Sequence, residues 1–438
     1  MQGEGGGGSG SGSGSENGRS DNNDIPLLQA PPRPLLIHPP LFNSANPWAT
    51  TLEHLRSLYA CEATGAVTTR TSLLDEEGFP HDDGVHRYAF FDAGSHGNCL
   101  LNDIAGEEDR ESGGRREKNR DASVNNLGYS PIPLDQYLDF IRTIDGETKS
   151  VGKKEKKTFI VSVTGTPDEM AECYRRIVRC QFGDLRSGEG GVGVPLAMEV
   201  NLSCPNIPGK PPPAYEGDAL KSYITRIAEM AREVEREYST AAESRAEVYG
   251  IPWGVKTPPY THAGQFETLV SVLRDSAVPT ITDPPFAFSA SSGSSRNSNR
   301  SGEGESTMKM MCPISFVTAT NTLGTCLLLE GRRDEDGVSG GSPGLSQVLP
   351  GLGIGGMAGA PLHPLALGNV ATLRWMLDEQ PETAHVIVLG IGGVGDSEGY
   401  KRMRSVGAAA VGVGTALGIK GLDVFKDIER GLAGVWDD

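Results

Sequence analysis

Short apolar runs alternate with longer segments of helical periodicity along most of this chain. Eight runs read as strands: Pro34–His38, Gly65–Thr69, Thr158–Val163, Pro195–Val200, Ile251–Val255, Ile314–Thr318, Val386–Gly390 and Ala409–Gly412. They are short and apolar or β-branched, and most are bounded by Gly, Pro or Asn. Helical patterns follow most of them. The clearest spans Ala219–Tyr238, where Leu220, Tyr223, Ile224, Ile227, Ala231, Val234 and Tyr238 fall on one apolar stripe. Others run from Thr51 to about Tyr59 and from Ser397 to about Ser405. Short buried strands alternating with helices predict a parallel α/β architecture. Polar residues at the ends of several strands favour a (β/α)8 TIM barrel over an open sheet, because a barrel brings those ends together on one face.

Four stretches interrupt the pattern. Residues 1–24 form a Gly/Ser-rich tail expected to be disordered, which leaves 25–438 for the barrel. Residues 103–122, 288–308 and 331–350 are charged or rich in Ser, Gly, Asn and Pro, and read as surface insertions. Each is expected to bury too little apolar surface to offset the entropy of ordering it.

Charge and cysteine usage narrow the function. A formal net charge of −17 disfavours duplex nucleic acid and anionic membranes as partners. No run reaches the ~18–20 apolar residues of a membrane span, and the first residues carry no apolar core of a signal peptide. The expected location is therefore cytoplasmic. The 7 cysteines are scattered, odd in number and without CxxC spacing, so no disulfide framework, metal site or iron–sulfur cluster is expected.

The densest chemistry lies in Met198–Pro211, MEVNLSCPNIPGKP. An apolar strand runs straight into Asn201, Ser203, Cys204 and Asn206, then into a Pro-rich loop. Two carboxamides flanking a thiol offer donors and acceptors to a planar, amide-rich ligand, and a thiol can act as a general base. An isolated NxxC would be read as a Pro-rich turn with a free cysteine; the full string is far more specific. Lys256 follows an apolar strand and precedes Pro258-Pro259, which favours burial near a site over the solvated position usual for a lysine. Asn321-Thr322 follows another strand, and Asn125-Asn126-Leu127-Gly128 adds a further amide. Gly392-Gly393 and Gly414-Thr415 follow the last two strands, where barrels place phosphate sites. Gly355–Ala360 is a third Gly-rich stretch and precedes a helix. No GxGxxG opens a βαβ unit, so a Rossmann site is disfavoured.

These strings together resemble the class 1A dihydroorotate dehydrogenases, the soluble fumarate-linked branch of that family, from about Leu41 to Leu432 with the insertions excluded. The resemblance implies a homodimeric FMN-binding (β/α)8 barrel that oxidises dihydroorotate to orotate in pyrimidine biosynthesis. It implies Cys204 as the base for the C5 proton, hydride transfer from C6 to the flavin, and reoxidation of FMN by fumarate, giving succinate. Asn125, Asn201, Asn206 and Asn321, with Thr322, would surround the pyrimidine. Ser44, Ala45, Arg70, Asn201, Lys256, Gly356, Gly392, Gly393, Gly414 and Thr415 would hold FMN, with Lys256 stabilising the reduced flavin. The chain departs from the family pattern at Arg70, where a lysine is usual, and at Asn46, where a glycine is usual; Asp75–Asp92 is also stretched. Two other functions stay open at this level. One is an FMN-dependent reductase of another pyrimidine or enoate. The other is a catalytically impaired paralogue serving as a scaffold.

Overall fold

All six residues of Thr158–Val163 are buried, and the strand they form pairs with a parallel neighbour on each side. That is the environment expected of a continuous apolar run. It recurs around a closed barrel in the computed structural model, which describes residues 31–82, 84–102, 120–151, 156–203, 212–241, 250–282, 307–331 and 344–436.

In chain order the first strands are β1 (Leu41–Asn43), β2 (Ala66–Thr68), β3 (Tyr88–Asp92), β4 (Gly97–Asn102), β5 (Ala122–Asn125) and β6 (Thr158–Val163). Next come β7 (Leu196–Asn201), β8 (Trp253–Lys256), β9 (Val278–Thr282), β10 (Thr307–Met311), β11 (Phe316–Ala319) and β12 (Leu323–Leu327). The last are β13 (Leu329–Gly331), β14 (Leu345–Gln347), β15 (Ile354–Gly359), β16 (Ile387–Ile391) and β17 (Ala410–Val413). The helices are α1 (Leu52–Ala60), α2 (Leu134–Val151), α3 (Pro167–Phe182), α4 (Gly217–Ala241) and α5 (Ala263–Asp275), followed by α6 (His363–Asp378), α7 (Ser397–Ser405), α8 (Thr415–Lys420) and α9 (Asp423–Gly431).

The barrel closes in the order β1-β17-β16-β11-β8-β7-β6-β2, every pair parallel. Helices separate the strands in sequence, so the fold is the (β/α)8 barrel predicted. Large and small side chains share its interior: Phe42, Ile160, Phe316 and Leu389 pack with Ala66, Ala197 and Ala410. Gly254 of β8 makes room for this filling, since a Cβ there would stand 2.1 Å from the Phe316 carbonyl oxygen. Local sequence sets the helix ends. Thr166 and Glu169 form a capping box at the start of α3, with Pro167 at the first helical position.

One predicted strand is misplaced. Pro34–His38 forms no strand; β1 begins three residues later, at Leu41. The run is apolar enough, but Pro34, Pro39 and Pro40 lack the N–H a ladder needs. Leu35 instead packs with the barrel-interior residues, while Leu36 is exposed.

A second sheet, β12-β15-β5-β3-β4, is antiparallel and lies over the carboxyl ends of the barrel strands. Its β3 alternates with period two. Ala89 and Phe91 join Val124, Leu328 and Leu349 on one face. Tyr88 and Phe90 face Trp48 on the other, where Trp48 stacks on Phe90 at 5.6 Å. The edges of the three low-complexity stretches belong to strands. Ala122 begins β5, Thr307 and Met308 begin β10, and Leu345–Gln347 is β14, with Leu349 buried beyond it. Residues 103–119, 288–306 and 332–343 of those stretches, and residues 1–24, lie outside the described residues.

Candidate functional site

A cavity opens at the carboxyl ends of the barrel strands, beneath the antiparallel sheet. Tyr88, Ser123, Asn125, Ala358 and Gly359 line it from the sheet. Two walls rise from the barrel itself. Asn201, Lys256, Thr320, Asn321 and Thr322 come from β7, β8 and the end of β11. Ser44 to Trp48, Ile391 to Gly393, Gly414 and Thr415 come from β1, β16 and β17.

Strand register builds the first wall. Asn201 lies directly opposite Lys256, and Lys256 opposite Thr318. The Lys256 residue is only 3% exposed, and no described residue accepts a hydrogen bond from its ammonium. A buried cation without a counter-ion is costly, so a ligand with negative charge or carbonyl oxygens suits this position. The amides beside it are tied to one another. The Asn201 Oδ1 accepts from the Ser203 amide at 3.2 Å and the Ser203 hydroxyl at 2.8 Å. The Asn321 Nδ2 donates to Ser203 Oγ at 2.9 Å, and its Oδ1 accepts from the Thr322 amide at 2.9 Å. Above them Asn125 donates to the Gly356 carbonyl at 3.2 Å.

The second wall is mostly backbone. Gly393 has φ +69, and a Cβ on it would stand 2.6 Å from the Cβ of His363. The His363 Nδ1 lies 2.7 Å from the Gly392 carbonyl, while its Nε2 accepts from Arg402 Nε at 3.1 Å. These contacts brace the turn after β16. The turn after β17 is held by the Ser44 amide, which donates to the Val413 carbonyl, and by a 2.8 Å contact between the hydroxyls of Ser123 and Thr415.

Arg70 stands between the walls. It is buried, and burial pulls its guanidinium pKa down to about 10, which still leaves it charged at neutral pH. Its Nη2 reaches the Gly128 carbonyl at 3.5 Å and lies 3.2 Å from His81 Nε2. Its Nη1, like the Thr320 hydroxyl, is buried with no partner among the described residues. Buried donors of this kind are normally satisfied, so both suit an acceptor-rich ligand.

The structure therefore places Ser44, Ala45, Arg70, Asn125, Asn201, Lys256, Asn321, Thr322, Gly392, Gly393, Gly414 and Thr415 around one cavity. Cys204 and Asn206 lie outside the described residues. Gly356 does not line the cavity; Gly359 does. The Gly355–Ala360 stretch is mainly strand β15, not a turn, and Gly356 pairs with Asn125 and leaves room for the Thr322 side chain. The departure at Asn46 is harmless to the turn. Its φ of −157 is ordinary extended backbone, and its side chain caps Pro47–Ala49 by accepting from the Trp48 amide at 2.9 Å. Gly128, within the Asn125–Gly128 string, also lines the cavity, as do Thr71 and Thr320, which directly adjoin Arg70 and Asn321. Trp48, Tyr88 and Ser123 do so with no local signal beyond their strands and turns.

Residues 309–435 match the family model for dihydroorotate dehydrogenase. That match contains Asn321, Thr322 and both glycine turns, while Asn201 and Lys256 precede it. Longer similarities bridge the difference. The chain is 24% identical over 394 residues to dihydroorotate dehydrogenase (fumarate) of Trypanosoma cruzi, covering 90% of this chain and 88% of that protein. It is 22% identical to dihydroorotate dehydrogenase A (fumarate) of Lactococcus lactis, covering 91% and 90%. Among solved structures, ligand-free DHODH from Eimeria tenella superposes with a TM-score of 0.55 at 16% identity, covering 91% of this chain and 86% of that one. Similarity to the dihydroorotate dehydrogenases thus extends over most of the chain, and the structural likeness shows the shared barrel. Among the described residues no helix is long and apolar enough to cross a membrane.

Proposed function

We propose that this protein oxidises dihydroorotate to orotate with FMN as cofactor and fumarate as the final acceptor. The observation that carries the reading is the cavity itself, where linked amides and a buried lysine face two glycine turns. The residues fit a flavin mononucleotide. Backbone N–H groups after β16 and β17 suit its phosphate. Lys256 suits the edge of the ring system that gains negative charge on reduction. Bound FMN supplies the acceptor for the hydride leaving C6 of the substrate.

The protein's own residues do the rest. Asn201, Asn321, Asn125 and Asn206 orient the pyrimidine through its alternating carbonyl and N–H groups. Cys204 takes the C5 proton as general base. It directly follows Ser203, which is buried and hydrogen-bonded to Asn201 and Asn321. The other six cysteines do not line the cavity. Burial pushes the thiols of Cys180 and Cys312 up to about 11 and about 12, which suits packing and not proton abstraction. Fumarate enters the same cavity and leaves as succinate. A homodimer in the cytoplasm completes the reading; exposed Leu327, Leu345, Leu352 and Ile354, on or beside the small sheet, suit a protein contact.

Anaerobic mixing with dihydroorotate tests this through the oxidised-flavin band near ~450 nm. Bleaching that fumarate reverses, and that Cys204→Ala slows by about 10²-fold or more, is the expected result. Bound flavin left oxidised by dihydroorotate points to a reductase of another pyrimidine or enoate. Failure to bind FMN at all points to a scaffold.

A further inference from the structure

We infer that Glu199 is a positioning residue which fixes the direction of the hydrogen bonds reaching Asn201, so that Asn201 meets the ligand as a donor. Glu199 stands in β7, otherwise built of Leu196, Ala197, Met198, Val200 and Asn201; it is 1% exposed and does not line the cavity. A carboxylate only accepts. The Ser162 hydroxyl donates to Glu199 Oε1 at 2.9 Å. With its one proton engaged, Ser162 Oγ accepts from the Thr71 hydroxyl at 2.9 Å. Thr71 Oγ1 in turn accepts from Asn201 Nδ2 at 3.1 Å. On the far side Ser203 donates twice to Asn201 Oδ1 and accepts from Asn321 Nδ2.

Every link runs the same way, toward the carboxylate. The Asn201 oxygen is held by Ser203, leaving one N–H of its amide for the cavity. The Asn321 oxygen takes the Thr322 amide and keeps a second lone pair. The two side chains thus offer a donor beside an acceptor, the complement of adjacent C=O and N–H groups on a cyclic amide. Glutamine at 199 removes the polarity, because its amide both donates and accepts.

The inference rests on the orotate reading, and the test separates the two. Orotate is titrated into the FMN-loaded protein and followed by the shift of the flavin band. Wild type, Glu199→Gln, Ser162→Ala and the double variant are compared, with FMN affinity and melting temperature measured alongside. Each single change is expected to weaken orotate about ten-fold or more while FMN affinity holds. The double variant is expected to be no weaker than the worse single, since both interrupt one chain. If Glu199→Gln does not fold, Ser162→Ala and Thr71→Val carry the comparison. Wild-type orotate affinity in the variants overturns the inference. So does parallel loss of FMN, orotate and melting temperature, which marks a merely structural role. A wild type that holds FMN but ignores orotate overturns the substrate reading, and this inference with it.

Discussion

On the β7–β8–β11 side the cavity meets side chains; on the β16–β17 side it meets backbone. The first wall presents Asn201, Lys256 and Asn321, whose directions are set by hydrogen bonds and strand register. The second presents the backbone of Gly392, Gly393 and Gly414, where an added Cβ would stand 2.5 Å from Ala366, 2.6 Å from His363 and 3.0 Å from Ser44. The two are therefore vulnerable to opposite changes. The side-chain wall fails when atoms are removed, and the backbone wall fails when atoms are added.

The largest effect is expected from Lys256→Met. Loss of the cation should lower turnover about 10²–10³-fold, while the melting temperature holds or rises, because a buried charge without a described counter-ion is gone. Steady-state rates with parallel thermal melts check this, and a loss under ten-fold would remove Lys256 from the chemistry. Gly393→Ala comes next. A left-handed residue with a side chain costs about 1–2 kcal/mol before the contact with His363 is counted, so FMN affinity should fall roughly 30-fold. Orotate binding to the fully loaded variant should stay close to wild type; an equal loss of both ligands would erase the distinction between the walls. Asn125 sits on the roof with a single described side-chain hydrogen bond, to Gly356, and Asn125→Ala should raise the KM for dihydroorotate about five-fold. The smallest effect belongs to Asn46. Replacement by Ala should cost about 1 kcal/mol of stability and by Gly somewhat less, because the cap is lost together with the 2.6 Å hydrogen bond from Asn46 Nδ2 to the Ser44 carbonyl. Chemical denaturation measures it, and a greater loss with Gly than with Ala would mean that the turn depends on the asparagine for more than these two hydrogen bonds.

The sequence carried the barrel well for a local reason. Seven of its strands are predominantly apolar runs buried on both faces, so composition marks them, with ends displaced by a residue or two, as for Ile251–Val255 against Trp253–Lys256. The small sheet is not legible in the sequence. Its β12 is half exposed and β15 is mostly glycine and alanine, and both depend on partners distant in sequence. That also explains Gly356, whose strand pairing with Asn125 no local pattern announces. The cavity-lining residues at strand ends are legible because polar residues break apolar runs there. Glu199 breaks such a run too, but inside the strand, where only its link to Ser162 and Thr71 gives it meaning. Arg70 was visible as a departure; its tie to Gly128 and its neighbour His81 depend on a loop that folds back from further along the chain.

The roof over the cavity joins two excursions from opposite halves of the barrel. β3–β5 leave between β2 and β6, β12–β15 leave between β11 and β16, and they meet where Ala122 pairs with Gly359. During synthesis the first half of that roof emerges long before its partner exists. Closure of so long a loop is slow and comes after local helices form. A nascent chain halted before β15 would therefore carry the exposed edge of β5, an unpaired strand open to the wrong neighbour. Assembly of the ligand site is in this sense a late checkpoint, passed only when nearly the whole polypeptide is available.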